Sequence, residues 1–288
     1  MKFPAYWSKA KVTETDRHGE PWEVTCWRWS DISAGDAQRL AREAAQQAAR
    51  RLANEQEPDE CFYGQRPLRE EVIQLKVDSS GRQTHAITRN PYGVLVLNTA
   101  EVMFVDVDFP PVTLGGMIKH FFARLLGKNP PPQLEQQVRR SLVQLEAFLG
   151  DHPDWGVRLY RTTAGLRLLV THALFDPCAD STQQQMALIG ADPLYARLCR
   201  NQECFRARLT PKPWRCGHWP NRTTWPHEDA EQADRFAAWL AEYEQKQSGY
   251  AACRYLGTVG ADTVHPEVAS VIELHDEYCR AHQELPLA

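Results

Sequence analysis

At 288 residues, 43% hydrophobic and 24% charged, the chain has the make-up of an ordinary globular protein of one large or two small domains, and no apolar run approaches the ~20 residues of a membrane span. The start, Met1 to Trp7, lacks a signal peptide's apolar stretch, so a cytoplasmic protein is expected, with no membrane partner and its eight cysteines as thiols or metal ligands rather than disulfides. The net charge of −4 hides an asymmetry: residues 155–225 carry 10 Lys/Arg against 4 Asp/Glu, as would suit a site that handles phosphates, and the excess acid lies elsewhere.

In chain order, residues 2–29 read as strand, turn, strand, with Asp16-Arg17-His18-Gly19 as the turn. Ser33 with Asp36 resembles a capping box. It opens an Ala- and Arg-rich helix to about Leu52, with Leu40, Ala44, Ala48 and Leu52 on one face. A polar linker, 54–59, leads to three strand candidates, 72–77, 84–88 and 94–97, as an antiparallel meander. The meander runs into Glu101-Val102-Met103-Phe104-Val105-Asp106-Val107-Asp108, expected to lie near the centre of the same sheet. Residues 113–126 and 134–149 turn helical, with apolar residues recurring at three and four. Strands at 157–160 and 166–170 form a hairpin, a helical region runs to about Arg200, and 205–209 reads as a strand. Helices at 230–245 and 266–281 enclose a short segment, 251–257. The order predicts an α+β fold: a mixed or antiparallel central sheet flanked by helices, preceded by a β-hairpin and helix. Three regions are expected: 1–60 as hairpin and helix, 61–225 as a catalytic-like core, and 226–288 as a helical region packed on it.

The aspartate strand carries the strongest chemical signal. Alternation puts Asp106 and Asp108 on one face, and Phe109-Pro110-Pro111 ends the strand. Two adjacent carboxylates repel unless a cation or shared proton neutralises them, and magnesium or manganese prefers such hard oxygens. The alternative is a buried turn-capping aspartate beside a solvated one.

In the hairpin, the small residues at Arg161-Thr162-Thr163-Ala164-Gly165 would let a phosphate or base approach the backbone. Arg167 emerges from the otherwise apolar strand Leu166-Arg167-Leu168-Leu169-Val170, where an unpaired charge is costly, so it should meet a structural carboxylate or an anionic ligand. His172, at the strand end, reads as structural. Arg206 and Arg208 alternate with Phe205, Ala207 and Leu209, and Lys212 follows, a row able to clamp phosphates or to guard an edge strand. Arg161, Arg167, Arg206, Arg208 and Lys212 are therefore the candidate phosphate-binding residues. Cys199, Cys204, Cys216 and His218 have the composition of a zinc site but not a standard spacing, and buried cysteines are the default.

Together, Val105-Asp106-Val107-Asp108 and the glycine-containing hairpin 163–170 resemble the archaeo-eukaryotic primase superfamily, including bacterial primase-polymerases. The resemblance covers about residues 94–209. It implies an RRM-like core that uses magnesium or manganese at Asp106 and Asp108, acting on nucleoside triphosphates and single-stranded or primed nucleic acid. Two departures are visible. Arg167 stands where the family carries a nucleotide-contacting histidine, and no third acidic residue ends a later strand. These departures imply that metal binding persists while polymerisation is altered or lost. Metal-dependent phosphodiester hydrolysis, and non-catalytic nucleic-acid binding or protein interaction on a degenerate primase-like fold, are the alternatives.

Overall fold

Alternating apolar and polar residues at the start of the chain pair as a hairpin of β1 (Tyr6–Thr15) and β2 (Pro21–Ser30), Tyr6 opposite Ser30. The computed structural model describes residues 1–15, 21–53, 67–109 and 133–288. Helix α1 (Ala34–Ala53) begins where Ser33 Oγ accepts the Asp36 N–H at 3.1 Å. Its buried face is Ala37, Ala41, Ala44, Ala45 and Ala49, not the stripe through Leu40 and Leu52. Alanines take the contact because α1 lies close on the hairpin, against Ala10, Val12 and Cys26. The turn at Asp16, the linker 54–59 and the helix expected at 113–126 lie outside the described residues.

The rest is α+β, with two four-stranded antiparallel sheets. The first is the expected meander, β3 (Glu71–Val77), β4 (Gln83–Arg89) and β5 (Leu95–Thr99), completed by β9 (Phe205–Arg208) beside β5. The second runs β10 (Cys253–Gly260), β7 (Gly156–Thr162), β8 (Gly165–Val170), β6 (Phe104–Asp108). The aspartate strand β6 is thus an edge strand of the second sheet rather than a continuation of the meander. After β5 the chain turns, held by the Thr99 hydroxyl donating to the Val102 carbonyl at 2.6 Å, and crosses between sheets. The apolar residues of β6 find better partners there, Phe104 opposite Leu169, Val105 opposite Leu168 and Val107 opposite Leu166.

Helices α2 (Gln133–Asp151), α3 (Asp180–Leu188), α4 (Pro193–Gln202), α5 (Ala230–Gln247) and α6 (Pro266–Cys279), with a 3-10 turn at Pro213–Arg215, complete the described elements. The region 226–288 is not purely helical, because β10 extends the second sheet beyond β7. One core joins both sheets: Leu97, Phe205 and Ala207 from the first cluster with Phe104, Tyr160, Leu168 and Val271. Fully burying one such Leu or Phe stabilises by about 1.5–3 kcal/mol, so this cluster outweighs any surface ion pair. Tyr195 on α4 adds a polar link across it, its hydroxyl 3.0 Å from the Phe104 carbonyl of β6 and 3.0 Å from the Arg206 carbonyl of β9.

Candidate metal and phosphate site

In the β6–β8 register Asp106 stands opposite Arg167 and Asp108 opposite Gly165. Arg167 Nε donates to Asp106 Oδ1 at 2.8 Å, and Nη2 reaches Oδ2 at 3.4 Å. Its Nη1 donates to the Arg208 carbonyl at 2.8 Å and lies 3.4 Å from His275 Nε2. The Arg167 side chain is 1% exposed while that of Asp106 is 25% exposed, so one partner is locked inside and the other reaches the surface. Burial opposes the guanidinium charge, but pairing with Asp106 outweighs it and holds the Arg167 pKa above its ordinary value. Of the two partners open to Arg167, carboxylate or anionic ligand, the structure supplies the carboxylate.

Gly165 is needed for a reason other than ligand approach. A Cβ on Gly165 would lie 1.9 Å from the Val107 carbonyl oxygen, so β6 backbone occupies the space that a phosphate was expected to use. Arg161 braces the same bend, its Nη1 donating to the carbonyls of Thr162 and Gly165 and its guanidinium 5.5 Å from the Phe109 ring centre.

Asp108 is the least compensated acid of the site. Burial, and then the carboxylates of Asp106 and Asp192, push its pKa up, while Arg208 and Lys212 pull it down. Asp192 is the third acid that strand-end motifs did not reveal. It is the N-cap of α4, its Oδ1 accepting the Tyr195 N–H at 2.8 Å, and its own N–H donates to the Asp106 carbonyl at 3.0 Å. The Asp-Pro start of a helix was legible in the sequence. Its closeness to Asp106 was not, since 86 residues separate them.

Cations face these acids. Burial and the neighbouring Arg167 push Arg208 down to about 10, against the pull of Asp106. Lys212 is lowered by burial and by Arg208 and Arg215, against Asp108, and its Nζ lies 5.5 Å from the Trp214 ring centre. Arg206, two residues from Arg208, is turned elsewhere. Its Nη2 meets both Glu70 carboxylate oxygens at 2.9 and 3.0 Å, and its Nη1 donates to Asn98 Oδ1 at 2.6 Å. His172 sits among Trp155 and Phe175, where burial lowers its pKa.

The zinc quartet does not assemble. Cys199 and Cys204 are core residues around the end of α4, whereas Cys216 closes a turn onto the Pro213 carbonyl and His218 packs against Trp239 and Tyr243. Among the described residues a different trio converges, Cys253, His275 and Cys279, all buried with ligand atoms within 4.8 Å of one another. The His-x3-Cys spacing on α6 was the available sequence signal, because i and i+4 share a helix face. This trio has the chemistry to hold a soft cation, with His275 Nδ1 at 3.0 Å from Asp276 Oδ1 as an outer partner. The guanidinium of Arg167, 3.4 Å from His275 Nε2, stands against that cation.

Comparison of the chain with protein-family models, with curated proteins and with solved structures finds no match. The reading of function therefore rests on the site itself.

Proposed function

We propose that this chain is a divergent, metal-dependent nucleotidyltransferase of primase-polymerase type on an RRM-like core, acting on nucleoside triphosphates and nucleic acid. The observation that carries the reading is the end of β6, where Asp106 is partly buried and Asp108 exposed two residues on, with Arg208 and Lys212 near enough to Asp108 to offset part of the mutual repulsion of the acids. The two strand-end carboxylates, Asp106 and Asp108, are hard oxygen donors of the kind magnesium or manganese prefers. Such an ion would supply the positive charge that offsets a triphosphate and would lower the barrier to attack by a primer hydroxyl. Asp106 and Asp108 would hold the ion, and Arg208 and Lys212 would neutralise phosphate oxygens. Arg167 acts through Asp106: its forked contact fixes the carboxylate plane and leaves the outer lone pairs for a cation.

The Arg167–Asp106 pair also favours a second reading, a non-catalytic nucleic-acid-binding protein in which Asp106 is structural. Manganese titration with an Asp106→Asn, Asp108→Asn double variant separates the two. The wild type is expected to bind manganese and the variant to lose it, and nucleoside triphosphate affinity should fall with it. Loss of Arg208 or Lys212 should cost about 1.5–3 kcal/mol of triphosphate affinity, the scale of a hydrogen bond to a charged group. Equal and negligible manganese binding by both proteins would reject the enzyme reading.

A further inference from the structure

The trio Cys253, His275 and Cys279 lies behind the acids, on the inner side of Arg167, and nothing in nucleotidyl transfer calls for it. All three side chains are fully buried. Cys253 opens β10, and His275 and Cys279 share one face of α6. Two backbone bonds fix these elements against each other, the Ala252 N–H donating to the Cys279 carbonyl at 3.0 Å and the Tyr255 N–H to the Ala281 carbonyl at 2.9 Å. The ligand atoms therefore stand within 4.8 Å of one another without any ion to gather them.

His275 is aimed by its surroundings. Its Nδ1 lies 3.0 Å from Asp276 Oδ1, and the other oxygen of that carboxylate, Oδ2, is held by Arg158 Nη2 at 2.6 Å and His282 Nε2 at 2.9 Å. A proton on Nδ1 leaves the Nε2 lone pair facing Cys253 Sγ at 3.9 Å, which is how a carboxylate orients a metal-binding imidazole. Phe104 and Tyr160 pack against the ring, with centres at 5.2 and 4.7 Å, and keep it from turning.

Two thiolates and an imidazole suit copper(I) or zinc and not the hard ions that carboxylates prefer. Ligand number and charge separate these two. Among the described residues no fourth His, Cys, Asp or Glu joins the trio, and structural zinc takes four ligands. Arg167 turns Nε and Nη2 to Asp106 but sets Nη1 3.4 Å from His275 Nε2, so a guanidinium edge stands beside the ligand atoms. Two thiolates cancel the charge of a dication, and the guanidinium then gains nothing from the ion's presence. Around a monovalent ion they leave one negative charge. The guanidinium offsets that charge in an interior where it would otherwise be costly.

We infer that Cys253, His275 and Cys279 bind one monovalent thiophilic cation, copper(I), through two thiolates and an imidazole. Binding forms two Cu–S bonds and one Cu–N bond and releases the two thiol protons to the buffer, with no change of oxidation state. The inference does not rest on the nucleotidyl-transfer reading.

Anaerobic titration of the full chain with copper(I) against bicinchoninate, a competing chelator, tests it. Wild type should hold one more ion per chain than the Cys253→Ser, Cys279→Ser double variant. Cys178→Ser, whose thiol lies against the Arg200 carbonyl, should match wild type. Asp276→Asn should weaken the site about 10-fold, the lower end of the loss for an outer partner of a metal-binding histidine. The Asp106→Asn, Asp108→Asn variant should keep it. X-ray absorption at the copper edge of loaded wild type depends on no variant folding, and a shell of two sulfurs and one nitrogen is expected. An all-sulfur shell, equal uptake by wild type and the double cysteine variant, or zinc retained at the trio when copper(I) is offered, overturns the inference. Copper(I) held by the trio alongside failed manganese binding would keep this site and reject the metal reading of Asp106 and Asp108.

Discussion

Asp108 and Asp106 differ although they sit two residues apart on one strand. Asp106 has a guanidinium at 2.8 Å, whereas Asp108 faces Gly165, which offers no side chain. Asp108 is exposed at the strand end, yet partial desolvation of its carboxyl, Asp106 and Asp192 favour the neutral acid over the opposing pull of Arg208 and Lys212. A carboxyl raised in the folded state binds its proton more tightly there than in the unfolded chain. Its ionisation hence destabilises the fold as pH rises from the ordinary aspartate range through the raised value. Asp108→Asn should melt at a higher temperature than wild type near neutral pH, and the gap should narrow as pH falls toward 4. Manganese should raise the melting temperature of wild type and not of the variant. Thermal scans across pH, with and without manganese, check both. A gap that is independent of pH would show that Asp108 is already compensated.

At the scale of elements, the site depends on how closely β6 lies against β8. Gly165 permits that approach, because any Cβ there strikes Val107 backbone rather than a side chain that could move aside. Gly165→Ala should therefore cost about 3 kcal/mol, the upper part of the overpacking range, and should weaken manganese binding by displacing Asp106 and Asp108. Urea unfolding and the same titration measure the two effects. Undiminished stability would mean that the strand end separates freely from the bend. Strand β9 shows a different logic. Arg206 is consumed by Glu70, just before β3, and by Asn98 on β5, while Arg208 carries no such pair with a described residue and feels the charge of Asp106 and Asp108 on the neighbouring sheet. A row of cations in a sequence can thus divide between support and site.

Across the whole molecule, the acids and the cations come from different sheets. Asp106 and Asp108 lie on β6, and Arg208 ends β9. Few polar contacts hold these two edges together, and Tyr195 is one of them. Its hydroxyl has one proton for the two carbonyls of Phe104 and Arg206, and accepts the Arg206 N–H at 3.3 Å. Tyr195→Phe keeps the packing and removes all three contacts, so it should cost about 1–2 kcal/mol of stability. The lower urea midpoint should come with weaker triphosphate affinity, because β9 would no longer be pinned beside β6. A variant as stable as wild type would show that the shared core alone sets the spacing of the sheets.

Local periodicity was enough to place most of the described elements, but not β10, which read only as a short segment. The alternation of β6 to β9 and the repeats of α2, α5 and α6 were legible because strand and helix periods are set by near neighbours. The pairing of Asp106 with Asp108 was legible for the same reason. Partner choice was not. Whether β6 joined the meander, whether Arg167 met a carboxylate, and whether Arg206 and Arg208 worked together all depended on residues distant in sequence. The acid at Asp192 and the trio Cys253, His275 and Cys279 arose in the same way. Each is assembled from separate elements, and burial of the shared core decides which of them meet. The sequence by itself determined most of the described secondary structure, though not that 253–260 is a strand, together with the two strand-end carboxylates and the basic region. Only the tertiary structure decided which charges are spent on one another and which remain to hold a ligand, because that balance depends on burial and distance.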